Sequence, residues 1–135
     1  KPPMKLHADT PDHLAITGHG EGWIAVNGQR HAGSLVVSSS GALSPWACTR
    51  FEDLSAPHFE QLLATDANPP ELVIFGSGAR LRFPPAAWLR ALIGERIGVE
   101  TMDTAAACRT YNVLVSEHRR ALAALLLSPP APPSA

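Results

Sequence analysis

Residues 108–112 read Cys-Arg-Thr-Tyr-Asn, which places a thiol, a guanidinium, two hydroxyls and an amide in five consecutive positions. These residue types can do chemistry. Near the start of a helix the backbone dipole lowers a thiol pKa, an adjacent arginine lowers it further, and the resulting thiolate is a nucleophile or redox group. A catalytic thiol also needs a base within reach, and the sequence offers none for Cys108. At 100° per residue the stretch divides in two. Cys108 and Tyr111 join Leu114 and Val115 on one side; Ala105, Arg109, Asn112 and Ser116 fall on the other, with Asn112 near the boundary. The wheel therefore expects a core thiol that is chemically quiet. It leaves Arg109 and Asn112, three apart, as the pair able to touch one ligand or partner. On that reading, truncating either to alanine costs roughly 0.5 kcal/mol. The competing reading ties Arg109 to a buried partner, and truncation then costs roughly 3–5 kcal/mol.

A second candidate is Gly76-Ser77-Gly78, which follows the apolar run Glu71–Phe75. A glycine loop at the C-terminal end of a strand can cradle an anion with its amides. GxGxxG fails, because Leu81 occupies the last glycine position, and GxxxxGK[ST] is absent. The plainer reading is a tight turn that needs φ > 0. If a ligand binds, Gly76, Ser77, Gly78, Arg80, Thr104 and Arg109 are the residues expected to converge on it. The loops after Phe75 and Met102 would then share one edge of a parallel pair. With Asn112, these residues form the candidate binding set.

The other chemical types point nowhere definite. The six histidines show no HxH, HExxH or HxxxH spacing. His19 and His31 could meet across a hairpin, but two ligands without a third make a poor metal site. Ser38–Ser40 and Ser44 lack GxSxG. Asp9, Asp12, Glu52 and Asp53 read as solubilising charges or caps. No catalytic residue, metal ligand or cofactor is assigned.

The bulk numbers describe an ordinary globular domain and give no support for a nucleic-acid partner. The 135 residues are 45% hydrophobic and 17% charged, with a net charge of −1. That is ordinary for one globular domain, and it gives no support for nucleic-acid binding, which needs a basic face; a local basic patch stays open. Trp23, Trp46 and Trp88 read as core anchors. Cys48 and Cys108 stand in different contexts and read as reduced thiols in a cytoplasmic protein. The apolar run Ala121–Leu127 is too short to span a bilayer. The start lacks the apolar centre of a signal peptide, and opening on Lys1 leaves room for residues upstream.

Which elements position these groups? Residues 1–12 hold three prolines and are expected to form a flexible arm, with Met4 and Leu6 able to touch the domain. The domain is expected over 13–128, with a disordered proline-rich tail at 129–135. Leu14–Thr17, Trp23–Val26 and Leu35–Val37 read as strands, with Asn27-Gly28 as a type I′ hairpin turn. Pro45 argues against a central strand nearby. Ser55 and Pro57 open a short helix over 57–65. Glu71–Phe75 reads as a strand covered on both faces, and Leu81 and Phe83 as a possible extended continuation. Pro84-Pro85 opens a helix carrying Trp88, Leu89, Leu92 and Ile93. Val99–Met102 reads as a short buried strand, and Asp103 or Thr104 as the cap of the third helix. The order β-β-β-α-β-α-β-α-(β) implies an α/β domain with a mixed sheet. Ala121–Leu127 is apolar throughout, so periodicity alone leaves strand and helix open.

The segments ITGHGEGWIAVNGQRHAGSLVVS, ELVIFGSGARLRFPP and GVETMDTAAACRTYNVLVSEHRRALAALL together resemble the Mth-domain family of unknown biochemical function. Its members include a mitochondrial complex I assembly factor and the adipogenesis-associated Mth-domain protein. The resemblance runs over roughly residues 12–128 and is sharpest at Gly76, Gly78 and Thr104–Asn112. It implies a compact α/β domain with a central mixed sheet, an N-terminal hairpin region and three helices. It also implies that Ala121–Leu127 is a final strand, and that a glycine commonly stands where this chain has His118. Histidine adopts the left-handed conformation less readily than glycine. For function it implies a non-enzymatic interaction or assembly-factor role with an unknown protein partner, with weak self-association open. The alternative is a small anionic-ligand binder or minor enzyme using the Gly76–Gly78 loop with Arg80 and Arg109.

Overall fold

The computed structural model describes residues 14–128; the expected arm over 1–12 and tail over 129–135 lie outside them. The framework is a five-stranded sheet. It holds β4 (Leu35–Ser38), β5 (Leu43–Pro45), β6 (Leu72–Gly76), β7 (Gly98–Met102) and β8 (Ala121–Leu125) in the order β5-β4-β8-β6-β7. β8 is parallel to β6 and antiparallel to β4, so the last described strand forms the centre of a mixed sheet. Every residue of β8 is buried, which explains its unbroken apolar sequence: a strand covered on both faces has no polar side. Ala121, Ala123, Leu125 and Leu127 face one core; Leu122, Ala124 and Leu126 face the other.

The first core lies under the helix α3 (Thr104–Ser116) and a separate three-stranded sheet of β1 (Ile16–Gly20), β2 (Trp23–Val26) and β3 (Gln29–Ala32). α3 crosses β6 and β8 and also meets β1. Its Ala107, Cys108, Tyr111, Leu114 and Val115 are all buried, as the helical wheel requires. Asp103 Oδ1 accepts from Ala106 N–H at 2.9 Å and caps the helix start. The helix ends in a Schellman motif: His118 adopts φ +62°, its N–H reaches Val115 O, and Arg119 N–H reaches Leu114 O. The helix-to-strand break therefore forms with histidine at the left-handed position.

The second core is aromatic. Trp46, Phe59 and Phe75 meet edge to face at ring distances of 5.2–5.9 Å, a geometry worth ~0.5–1.5 kcal/mol per pair beyond simple burial. α1 (Ala56–Glu60) and α2 (Arg90–Gly94), each joined to a 3-10 turn at Gln61–Ala64 and Ala86–Leu89 respectively, cover this face. His58 Nδ1 accepts from Ser55 N–H at 3.1 Å and holds the start of α1.

Several expectations need correction. The hairpin region forms its own sheet, and its strand β3 carries no sequence signal, because Gln29-Arg30-His31-Ala32 shows no apolar alternation. Asn27 and Gly28 do have positive φ, at 47° and 86°. β5 was also missed; Pro45 stands at the sheet edge, where a missing N–H is harmless. β7 is the opposite edge and only partly buried, in place of the buried strand expected. Leu81 and Phe83 extend no strand. Ile93 points outward, because α2 is a single turn with Leu92 alone buried.

Candidate functional site

β6 and β7 are parallel, and both end at one edge of the sheet, where α3 begins. That edge gathers Gly76, Ser77, Gly78 and Thr104. Gly76 approaches α3 so closely that a Cβ there would lie 2.9 Å from Thr104 Oγ1 and 3.1 Å from Thr104 Cα. Its glycine is therefore required by close packing. Only Gly78, at φ +106°, fits the positive-φ expectation.

The loop's polar groups point inward. Ser77 N–H donates to Met102 O at 2.8 Å. Gly78 N–H donates to Thr104 Oγ1 at 2.9 Å, and Thr104 Oγ1 donates onward to Leu126 O at 2.7 Å. Thr104 N–H reaches Gly78 O at 2.9 Å. An anion cradle needs amides aimed at open space; these are already committed to protein acceptors. The cleft beside them, about 250 Å³, is lined by the acidic residues Glu21 and Asp103 and, among the described residues, by no lysine or arginine, so its charge does not favour an anion.

Ser77 has a second task. Its hydroxyl donates to Arg80 O at 2.8 Å and accepts from Arg82 N–H at 3.0 Å. This fastens the segment 79–83 to the end of β6. The segment borders a cleft of about 400 Å³ lined by Arg50, Phe51, Glu52, Arg80 and Arg82 among others. Arg82 hydrogen-bonds Glu52, and Arg50 Nε lies 3.7 Å from the same carboxylate. The bond from Arg82 holds the Glu52 carboxyl below the usual carboxylate range. Leu81 and Phe83, on the same segment, are 50% and 70% exposed.

The rest of the candidate set does not join this edge. Arg109 is exposed and borders a different hollow, with Thr17, His19, Cys108 and Asn112. Asn112 is committed to β1: its Oδ1 accepts from Ile16 N–H at 2.9 Å and its Nδ2 donates to Ile16 O at 2.6 Å. Tyr111 Oη donates to Leu14 O at 2.7 Å. Cys108 is 1% exposed, and burial pushes its thiol up to about 11 despite the opposing pull of Arg109. It is a neutral thiol at neutral pH. Cys48, also buried, donates to Arg50 O at 3.1 Å, and burial raises its pKa too.

Sequence reasoning found Arg80 but missed Arg50, Glu52, Arg82, Leu81 and Phe83 as a group. A signal was present. Arg-Leu-Arg-Phe alternates charge with large apolar side chains immediately before two prolines, and it supplies no strand or helix with a core face.

Comparison with known proteins fits this geometry. A family model described as "Protein of unknown function (DUF498/DUF598)" matches residues 16–126. An uncharacterised protein of Rhodobacter capsulatus is 38% identical over 122 residues, covering 90% of this chain and 91% of that one. The NADH dehydrogenase [ubiquinone] 1 alpha subcomplex assembly factor 3 of Xenopus tropicalis is 29% identical, over 90% of this chain and 66% of its own length. A Bordetella pertussis protein solved by NMR and described as a Mth938-like domain superposes with a TM-score of 0.77 at 31% identity, over 95% of both chains. The chain therefore belongs to the DUF498/DUF598 family, whose function is unknown and which has the Mth938-like α/β fold.

Proposed function

We propose that this protein is a non-enzymatic interaction module of the assembly-factor kind, acting on another protein in the cytoplasm. The observation that carries the reading is the segment 80–83. Two large exposed apolar side chains, Leu81 and Phe83, alternate with Arg80 and Arg82 on a loop fixed by Ser77. Exposed apolar side chains rimmed by polar residues mark contact surfaces, and arginine and aromatic side chains are enriched there. Support also comes from the glycine loop, whose Gly78 amide is engaged internally, and from Cys108, whose burial keeps its thiol neutral. The Xenopus relative is itself named as an assembly factor. The anionic-ligand alternative needs Arg109 to join Arg80 at the glycine loop, and the two arginines border different hollows.

The test is affinity capture of the intact chain from native lysate, with mass spectrometry, beside a Phe83→Ser variant. A partner held by the wild type and reduced in the variant is the expected result. Turnover of a small anionic substrate, abolished by Arg80→Ala with no protein partner recovered, would sink the proposal.

A further inference from the structure

We infer that the cleft bordered by Arg50, Arg80 and Arg82, with Leu81 and Phe83 on the adjoining segment, docks an acidic peptide segment that alternates carboxylates with large apolar side chains. This rests on the interaction-module reading and gives the partner a chemistry. Three guanidinium groups line one cleft and Glu52 is the single carboxylate lining it. That leaves a local excess of two positive charges in a chain whose net charge is −1. Glu52 engages Arg82 and lies near Arg50. Among the described residues the Arg80 side chain has no hydrogen bond or ion pair with the protein, so it is the group best placed to take a new carboxylate. A guanidinium fork meets a carboxylate with two parallel hydrogen bonds. The Arg82 guanidinium lies 5.5 Å from the Phe51 ring centre, which helps to orient it.

Leu81 and Phe83 do not line the cleft itself but alternate with Arg80 and Arg82 on the segment bordering it, so the apolar half of the occupant would meet them beside the cleft. Phe83 is the most exposed of the large hydrophobic side chains among the described residues. Pro84 and Pro85 follow it directly, which restricts the backbone on that side. Ser77 ties the other side. A segment held at both ends loses less freedom on docking than a loose loop. Nucleic acid fits poorly, since it demands a continuous basic face. An anionic membrane surface is usually met by a cluster of roughly four to eight basic residues, and here three arginines share their cleft with a glutamate.

The probe is a fluorescein-labelled peptide of about a dozen residues alternating Glu with Leu and Phe. Its controls are the same peptide with Gln for Glu, and vesicles of phosphatidylserine and phosphatidylcholine. Anisotropy is read on the intact chain, with melting curves to show that each variant folds. The wild type should bind the acidic peptide and lose affinity as salt rises. Arg80→Glu and Phe83→Ser should each weaken binding about tenfold. Glu52→Gln, which removes the competing carboxylate, should tighten it about threefold. Failure of the wild type to bind, equal binding of the Gln peptide, or indifference to both Arg80→Glu and Phe83→Ser would each overturn the inference. So would binding of the vesicles alone with the same dependence on Arg80. If capture recovers a protein partner that Arg80→Glu and Phe83→Ser variants retain, this surface falls while the interaction-module reading stands.

Discussion

Two stretches of this chain, Cys108–Asn112 and Ser77–Phe83, carry similarly reactive side chains and use them in opposite ways. In the first, Tyr111 and Asn112 hold α3 to the strand that opens the described fold, through Leu14 and Ile16, and Cys108 is packed dry beneath them. In the second, Ser77 turns inward and the residues it anchors turn outward. Residue type does not separate architecture from function here. What separates Tyr111 and Asn112 from Arg80 is that the first two already have partners within the fold, whereas the Arg80 side chain, among the described residues, has none.

The sharpest way to break the contrast is Tyr111→Ala. The side chain is fully buried, so the change leaves a cavity and orphans the acceptor at Leu14. A loss of about 3–5 kcal/mol is expected from denaturant midpoints, with about 1 kcal/mol for Tyr111→Phe, which removes only the hydrogen bond. If Tyr111→Ala changes the midpoint little, the helix face is not core.

Alkaline unfolding tests the same face without removing volume. The Cys108 thiol titrates at about 11 in the fold, against an ordinary value near 9.0. The unfolded chain therefore loses this proton first. The thiol's contribution is intact below about pH 8.5 and declines as pH rises toward 11, by about 2–3 kcal/mol. The urea midpoint should fall less between pH 8 and pH 10.5 in Cys108→Ala than in wild type. Equal slopes would mean that the thiol meets water.

The fold was legible where local rules act alone. Asn27-Gly28 encodes its turn, Asp103 its cap, and the run at 121–125 its place between two cores once the break at His118 is granted. What escaped depends on partners distant in sequence. Gln29–Ala32 becomes a strand because β2 lies beside it, not because its own residues favour one. Gly76 is glycine because Thr104, from the start of α3, presses against it. In the candidate set, Thr104 and Gly78 do meet, but as a hydrogen-bonded pair within the protein. Arg50 and Arg82 come together across more than thirty positions, and no spacing rule announces that.

Asn112 separates the two readings of the helix more finely. The wheel makes it a polar-face residue whose loss costs roughly 0.5 kcal/mol. Its two hydrogen bonds to Ile16 change that expectation. Asn112→Ala should cost about 1–3 kcal/mol, because both backbone groups of Ile16 lose their side-chain partner in a partly buried place. Asn112→Asp should retain the acceptor while setting a carboxylate against Ile16 O, so it should also destabilise. Midpoints within experimental scatter of wild type would return Asn112 to the surface.

The smallest effect belongs to Arg109. It is exposed, and among the described residues it makes no side-chain hydrogen bond or ion pair, so Arg109→Ala should move the midpoint by no more than about 0.5 kcal/mol. A second readout comes from its neighbour. The Arg109 charge favours the Cys108 thiolate, working against the larger effect of burial. Removing that charge should leave Cys108 no easier to label in the native state, and slightly harder at alkaline pH, where the thiolate is the reacting form. Faster labelling would mean that the side chain shields the sulfur by covering it, a packing role that stability alone would not reveal. A loss of 3–5 kcal/mol would place Arg109 with Tyr111 in the framework, and the boundary between the two stretches would have to be redrawn.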